Sequence, residues 1–362
     1  MSNKLEEARR IINEVDAQMA ELFVRRMHAA EMVYEHKKEW GLPILDKERE
    51  AAVIAQNVAL VEEDALKGYY TDFLTRVMAV SRAYQYRLQN GLRVAYSGVE
   101  GAFAHIAAGR IFPDSERVAC GDFKAAYNAV VNGECDVAVL PIENSYAGEV
   151  GKTIDLIFSG NLYINGIYEL EIHQNLLALP DATIEDIQTV TSHPQALSQC
   201  HEYIQAKGFA TEQANNTALA AKRVAESGDK SLGAIASVET AQIFGLKVLE
   251  ANVNKSNENT TRFAVVSKVK ATTPALSNAV LMFTVKNEAG SLAAAVDIIG
   301  RYGYNMTALR SHPLKKQSWQ YYFYVEIDGS VDTENGKNMM EELSTVCDKL
   351  KVAGTFAPHS EI

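Results

Sequence analysis

An arginine stands where an apolar residue belongs. From Leu5 to Val33 apolar side chains recur every seven positions, at Leu5, Ile12, Met19 and Val33, beside a second row at Ala8, Val15, Leu22 and Ala29. This is the pattern of a long helix with one buried stripe. Arg26 falls in the first row. A guanidinium cannot shed its proton, so on a buried stripe it needs an anion to offset several kcal/mol of desolvation. That anion is either a carboxylate of the surrounding helices or a ligand. Lys37 lies three turns further on, about 16 Å along the same face, and Arg9 adds a third cation near the start of the helix.

The elements that must position these cations are short helices around the long one. Gly41-Leu42-Pro43 closes the first helix, after which Asp46, Arg49 and Glu50 fall at i, i+3 and i+4, a mixed-charge face of a second helix. A third helix is predicted from about Tyr69 to Leu88, burying Leu74, Val77, Met78 and Tyr84, with Ser81 and Gln85 interrupting its stripe as an i, i+4 polar pair. A helix from Leu5 to Lys38 is about 50 Å long, too long for three helices to cover. Its exposed stripe asks for a second copy of the chain.

The segment resembles the all-helical chorismate mutases, through ARRIINEVD, LFVRRMHAAEMVYEHKK, ILDKERE and VSRAYQ, across nearly all of positions 5 to 88. The resemblance implies an intertwined dimer in which Arg26, with Arg9 reaching across from the second copy, takes the two carboxylates of chorismate. It implies that Lys37 and Gln85 hydrogen-bond the ether oxygen whose bond breaks, and that Asp46, Arg49, Glu50 and Ser81 line the remainder. Cations and amides suit that chemistry: a pericyclic rearrangement needs a compact substrate conformer and charge stabilisation, not an acid or a base.

A net charge of −11 over 362 residues argues against a nucleic-acid or anionic-membrane surface, so the cations are local devices for a small anion. The length suggests two or three domains, and 47% apolar with 22% charged residues is ordinary for a globular chain. Cys120, Cys135, Cys200 and Cys347 form no C-x-x-C pair and the histidines show no ligand spacing, so reduced thiols, no metal and no cofactor are expected. A charged, helical start and the lack of a long apolar run predict neither a secretory signal nor a membrane span, hence a cytoplasmic protein.

Beyond Gln89-Asn90-Gly91 brief β-branched runs alternate with helical patterns. RVAY leads into SGVEGAFAH, DVAVL into PIENSYAGEVG, IQTVT into SHPQALSQC and LGAIA into SVETAQIFG. Four strand ends in one α/β region predict a ligand cleft, because ligands sit beyond the carboxyl ends of strands. Gly98 and Gly101 lack the third member of G-x-G-x-x-G, and Gly151-Lys152-Thr153 lacks the Walker A glycine, that place being Tyr146. Both are read as turn glycines. No G-x-S-x-G elbow is present.

Together PIENSYAG, SHPQA and the TRF of ENTTRFAVV resemble prephenate dehydratase, across about positions 92 to 269. The resemblance implies two α/β lobes with a cleft between them, where Asn144, Ser145, Ser192, Gln195, Thr217, Thr261 and Arg262 surround prephenate. Thr261 would donate a hydrogen bond to the departing hydroxyl, and Arg262 would hold a substrate carboxylate or fix its strand. The family's first loop usually reads G-P-E-G-T-[FY]-S; here Val99, Ala102 and Ala104 replace the proline and both hydroxyl residues. The last stretch predicts βαββαβ, with helices from Ser291 to Arg301 and around Met339 to Leu350. Its GSLAAAV and RSHP segments resemble an ACT regulatory domain, which implies phenylalanine as effector at Gly290, Ser291, Leu292 and Asn305. Arg310 and His312 stand where the family's E-S-R-P has an acid and an arginine, a charge reversal expected beside the effector.

The expected architecture is therefore multidomain. It comprises an all-α helical mutase domain (1–90), an α/β two-lobed, periplasmic-binding-protein-like dehydratase domain (91–270) and an α+β ferredoxin-like ACT domain (277–357). The expected function is a homo-oligomeric, dimeric or larger, enzyme of phenylalanine biosynthesis. It would take chorismate to prephenate and prephenate to phenylpyruvate, without nucleic acid or membrane as partner. A non-catalytic aromatic-acid sensor and an arogenate dehydratase are the other readings.

Overall fold

The computed structural model describes residues 2–254, 259–271, 277–314, 320–358 and 360–362, in two compact units, Met1–Leu92 and Arg93–Ile362. The first unit is helical: α1 (Ser2–Glu39), α2 (Lys47–Val58) and α3 (Asp64–Asn90). His36, Lys37 and Lys38 in the last turn of α1 suit its negative end, and Gly41, at φ 63°, turns the chain out of it. Asp46 is not on a face of α2. It is the N-cap, with extended backbone and a carboxylate that accepts from Arg49 N at 2.9 Å. α3 starts five residues before the expected Tyr69 because it runs through Gly68, around which there is open space; tertiary packing absorbs the cost of about 1 kcal/mol. Ala30, Tyr34, Ile44, Leu74 and Met78 make a small core. Every side chain from Lys4 to Arg25 is exposed.

The second unit opens with β1 (Arg93–Ser97), α4 (Phe103–Ile111), β2 (Glu116–Cys120), α5 (Phe123–Asn132), β3 (Val137–Asn144), β4 (Gly148–Glu149), α6 (Gly151–Ser159) and β5 (Tyr163–Glu171). The chain then crosses to β6 (Asn175–Ala178), β7 (Thr189–Ser192), α7 (Pro194–Gln199), α8 (His201–Lys207), β8 (Ala210–Gln213), α9 (Thr217–Ser227), β9 (Leu232–Ala236), α10 (Val238–Phe244) and β10 (Lys247–Glu250). It returns on β11 (Thr260–Ser267) and finishes with β12 (Asn278–Thr284), α11 (Ser291–Arg301), β13 (Asn305–Pro313), β14 (Tyr321–Asp328), α12 (Glu334–Val346), β15 (Lys349–Phe356) and β16 (Ser360–Glu361).

Two sheets result. One runs β10-β6-β9-β7-β8; the other runs β13-β14-β12-β15-β5-β11-β3-β1-β2, with β4 on β3 and β16 on β5. Out after β5 and back before β11, the double crossing builds two lobes. The βαββαβ order of the C-terminal segment is as the sequence predicts, and its strands lie in the order β13-β14-β12-β15. The second helix ends earlier than expected, at Val346, and Leu350 is on a strand.

This C-terminal sheet is covered on both faces. Ala279, Leu281, Phe283, Val325 and Ile327 pack with Ala295, Ile298, Met339 and Leu343 of its own helices. Val280, Met282, Tyr322, Tyr324, Ala353 and Phe356 join the core of the first lobe. Burial on both sides explains why β12 reads as a continuous apolar run. At the seam β15 meets β5 at the pair Gly354 and Ile164. A Cβ on Gly354 would lie 2.0 Å from Ile164 O, so only glycine permits this approach. The expected 91–270 and 277–357 parts thus share one sheet.

Candidate active sites

In the helical unit Arg26 donates to Ser81 Oγ and reaches Val77 O at 3.5 Å. It has no ion pair among the described residues, and burial alone pushes its pKa down. Of the two anions that the spacing left open, a carboxylate of the surrounding helices is therefore not found among the described residues. One turn beyond Ser81, Gln85 is buried with its Oε1 unpartnered among the described residues. Lys37 Nζ donates to Ile44 O at 2.6 Å, which holds the amine over the turn between α1 and α2. Arg49 is exposed, whereas Glu50 is half-buried and pairs with Arg82 of α3. Arg82 is not among the expected residues; its one signal is its place beside Ser81. Arg9 is exposed and lies about 25 Å along α1 from Arg26, so within one copy the two cannot hold the same ligand.

The two-lobed part converges on Asn144, at the end of β3. Its Oδ1 accepts from Tyr146 N at 3.1 Å, Ala147 N at 2.9 Å and Gln195 Nε2 at 3.2 Å. Two backbone N–H groups therefore decide which end of the amide is oxygen. The Nδ2 end must face the other way, where it donates to Asn259 Oδ1 at 2.9 Å, Thr260 O at 3.2 Å and Thr261 Oγ1 at 2.9 Å. Thr261 is thus an acceptor from Asn144, and its single hydroxyl proton is left to donate elsewhere. The register pairs Thr261 with Asn144 and Arg262 with Glu143, and shifts directly afterwards, between Arg262 and Phe263. A bulge beside a functional side chain re-aims it.

Gln195 brings the second lobe to this point, from the first turn of α7, and Asn259 extends the link by donating to Gln199 Oε1 at 3.0 Å. Ser145 is tied into the ladder, its Oγ accepting from Thr260 N and its N donating to Thr260 O, both at 2.9 Å. Thr217 begins α9, buried behind the N-cap Asn216. Ser192 is 0% exposed and its hydroxyl donates to Ile235 O at 2.6 Å, which braces β7 against β9. The first loop, without its expected hydroxyls, is fixed from within and from across. Gly101 N donates to His105 Nδ1 at 3.2 Å, and Gly101 O accepts from Thr240 of α10 at 2.8 Å. Burial, with Arg117 adding to it, lowers the His105 pKa and keeps the ring a neutral acceptor.

Arg262 does not face the cleft as a free cation. Its Nη1 lies 3.1 Å from Glu143 Oε2 and 3.0 Å from Glu326 Oε1, and its Nη2 2.9 Å from Glu326 Oε2. Burial alone would lower its pKa, but Glu326 and Glu143 more than offset this and hold it above the ordinary arginine value. Of the two roles expected of Arg262, these protein carboxylates fit the fixing of its strand. Arg310 and His312 are likewise engaged by the first lobe. Arg310 Nη2 is 2.6 Å from Glu143 Oε1 and its Nε 2.5 Å from Glu149 Oε1, while His312 Nε2 is 3.1 Å from Glu149 Oε2. The charge reversal expected at an effector is answered by these glutamates. Gly290, Ser291 and Leu292 form the start of α11, with Gly290 at φ 87°, and Asn305 opens β13, exposed, its N donating to Asp328 Oδ1 at 2.8 Å.

Among the described residues no helix is long and apolar enough to cross a membrane, and no group of three or more His, Cys, Asp or Glu could hold a metal. Residues 94–271 match the family model for prephenate dehydratase and residues 8–86 that for chorismate mutase type II. A bifunctional chorismate mutase/prephenate dehydratase of Aquifex aeolicus (strain VF5) is 29% identical over 365 residues, covering 98% of each chain. Arogenate dehydratase 2 of Petunia hybrida is 34% identical over 288 residues, 75% of this chain and 73% of that one. The crystal structure of prephenate dehydratase from Arthrobacter aurescens in complex with L-Phe shares the fold, with a TM-score of 0.68 at 24% identity over 74% of this chain and 90% of that one.

Proposed function

The chain belongs to the bifunctional chorismate mutase/prephenate dehydratase family, an enzyme of phenylalanine biosynthesis with two activities, and from that premise we propose how its residues divide the work. The mutase lies in the helical unit (1–90). Arg26, desolvated and without an ion pair among the described residues, binds one carboxylate of chorismate, and Arg9 of a second copy binds the other. Lys37 and Gln85 donate to the ether oxygen, where negative charge builds as the carbon–oxygen bond breaks. Arg49, Ser81 and the Glu50–Arg82 pair line the pocket, with Asp46 capping α2. The exposed side chains from Lys4 to Arg25 support a dimer that covers α1.

Dehydration takes place between the two lobes of 91–270. The ring carboxylate leaves as CO2, its bond electrons complete the aromatic ring, and the hydroxyl departs with a proton as water. Thr261 donates to that departing oxygen, since its lone pair already takes the Asn144 proton. The hydrogen bond from Asn144 Nδ2 to Thr261 Oγ1 is the observation that carries the reading. Gln195, Ser145 and Thr217 complete the walls, and Asn144 sets the geometry. The βαββαβ part (277–357) is an ACT domain that takes phenylalanine at Gly290, Ser291, Leu292 and Asn305, with the free N–H groups of α11 facing its carboxylate. Coverage of nearly the whole bifunctional relative, mutase included, favours prephenate over arogenate as substrate.

The test is to give the purified protein chorismate with no cofactor added. Phenylpyruvate should form by way of prephenate. If prephenate accumulates unchanged the dehydratase assignment fails, and if chorismate persists while supplied prephenate is consumed the mutase assignment fails.

A further inference from the structure

Both strand ends that carry the dehydratase hydroxyl and its amide partner are gripped by residues of the C-terminal βαββαβ part. Thr261 precedes Arg262 on β11, and Asn144 follows Glu143 on β3; the two pairs face each other in register just before the bulge. Glu326 of β14 holds Arg262 with both carboxylate oxygens, at 3.0 and 2.9 Å, and is itself held by Tyr324, whose hydroxyl donates to it at 2.7 Å. Arg310 of β13 holds Glu143 at 2.6 Å and Glu149, on the far side of the Asn144–Ser145 turn, at 2.5 Å. The Glu326 side chain is 2% exposed against 24% for Arg310. A bidentate arginine–carboxylate pair in such a buried place fixes direction as well as distance.

We propose that Glu326, through Arg262, and Arg310, through Glu143, are positioning residues for dehydration, so that the C-terminal part is a working component of the dehydratase site. This rests on Thr261 as donor to the departing oxygen. Loosening either grip lets the bulged end of β11 slide against β3 and swings the Thr261 hydroxyl off its line. Because transition-state hydrogen bonds are more sensitive to placement than ground-state binding, the loss falls on kcat. The same contacts explain why a cation is tolerated at Arg310: Glu149 and Glu143 are there to meet it.

The experiment compares full-length Glu326→Gln and Arg310→Gln with the parent, each also in a Thr261→Val background. Each single variant is expected to lose about tenfold in kcat on prephenate with KM within about twofold, while mutase turnover in the same preparation is unchanged. In the Thr261→Val background the same substitutions should cost nothing further, because there is no hydroxyl left to position; a merely structural weakening would still add its own loss. If Glu326→Gln does not fold, the more exposed Arg310→Gln delivers the same comparison. Unchanged kcat in a folded variant, or a loss that multiplies fully with that of Thr261→Val, overturns the proposal. Harmless Thr261→Val would instead overturn the assignment of the donor.

Discussion

Replacing Asn144 by Asp keeps the shape of the dehydratase centre and inverts one of its hydrogen-bonding ends. The oxygen that accepts from Tyr146 N, Ala147 N and Gln195 Nε2 is retained. The nitrogen that donates to Asn259 Oδ1, Thr260 O and Thr261 Oγ1 becomes a second oxygen. Two of those acceptors cannot turn into donors without rebuilding their surroundings: Thr260 O is a backbone carbonyl, and Asn259 is held to Gln199 by its own amide. Thr260 O keeps the bond from Ser145 N, so the buried acceptor left without a donor is Asn259 Oδ1; such a loss costs about 1–3 kcal/mol, and with the new oxygen facing both acceptors we expect the Arg93–Ile362 unit to lose about 2 kcal/mol. Thr261 is different, because a hydroxyl rotates. Facing a carboxylate at the former amide distance, it gives its proton to Asp and has none left for the departing oxygen. Loss of one preorganised donor costs about 10²–10³ in turnover, so kcat on prephenate should fall by that factor. Steady-state assays on supplied prephenate, with mutase turnover as the folding control, read this directly. Turnover within fivefold of the parent, in protein whose unit is shown folded, would refute the role of Asn144 in orienting Thr261. So would a further loss on adding Thr261→Val.

Arg26→Ala or Lys37→Ala should abolish mutase turnover and leave dehydration of supplied prephenate nearly intact, since the two sites lie in different units; equal loss of both activities contradicts the division. A fragment ending near Asn90 should be a folded, mutase-active dimer by light scattering, because only a second copy can cover the exposed stripe of α1, and a monomer would remove that argument. Gly354→Ala, which places a Cβ 2.0 Å from Ile164 O, should open the seam between β15 and β5 and cost at least about 2 kcal/mol, seen as a lower melting temperature of the second unit with the first unaffected. Calorimetry with L-phenylalanine at millimolar concentration should detect binding together with inhibition of the dehydratase. Absence of both would leave the C-terminal part with a structural role alone.

How much of the molecule is legible in its sequence follows the range of the interactions. Seven-residue spacing is a local property, so α1 and its misplaced Arg26 can be read from the sequence alone, as can α11 and the βαββαβ order. Asp46 is conspicuous but easily misread, because the start of α2 differs by one residue from the pattern and turns a facing carboxylate into a cap. The position of Ser192 in the SHPQA motif points to the site, yet its hydroxyl belongs to Ile235, on a strand that only the fold brings near. Arg262 invites assignment to substrate because its true partner, Glu326, is 64 residues away. Asn259 escapes notice for the same reason: an asparagine at the mouth of a strand reads as a turn residue until Asn144 and Gln199 are seen on either side of it.

The two proposed active sites are built on opposite principles, and this follows from where their polar groups find partners. In the helical unit a half-buried cation meets no carboxylate among the described residues. Arg26 is desolvated against a serine and a carbonyl, and Gln85 keeps an oxygen unpartnered among the described residues. An anionic ligand can offset the cost at Arg26, and a donor group the cost at the Gln85 oxygen, so binding is driven by what one chain leaves unsatisfied. In the two-lobed unit the groups satisfy each other: Asn144 makes bonds at both ends of its amide, and Arg262 and Arg310 are matched by glutamates on four different strands, β3, β4, β5 and β14. The network around Asn144 gives the hydroxyl proton of Thr261 no acceptor among the described residues. A reaction that needs a proton donor held still is served by a network that fixes the donor's oxygen and leaves its proton free, and the rigidity comes from a sheet whose strands follow one another from the first lobe into the C-terminal part.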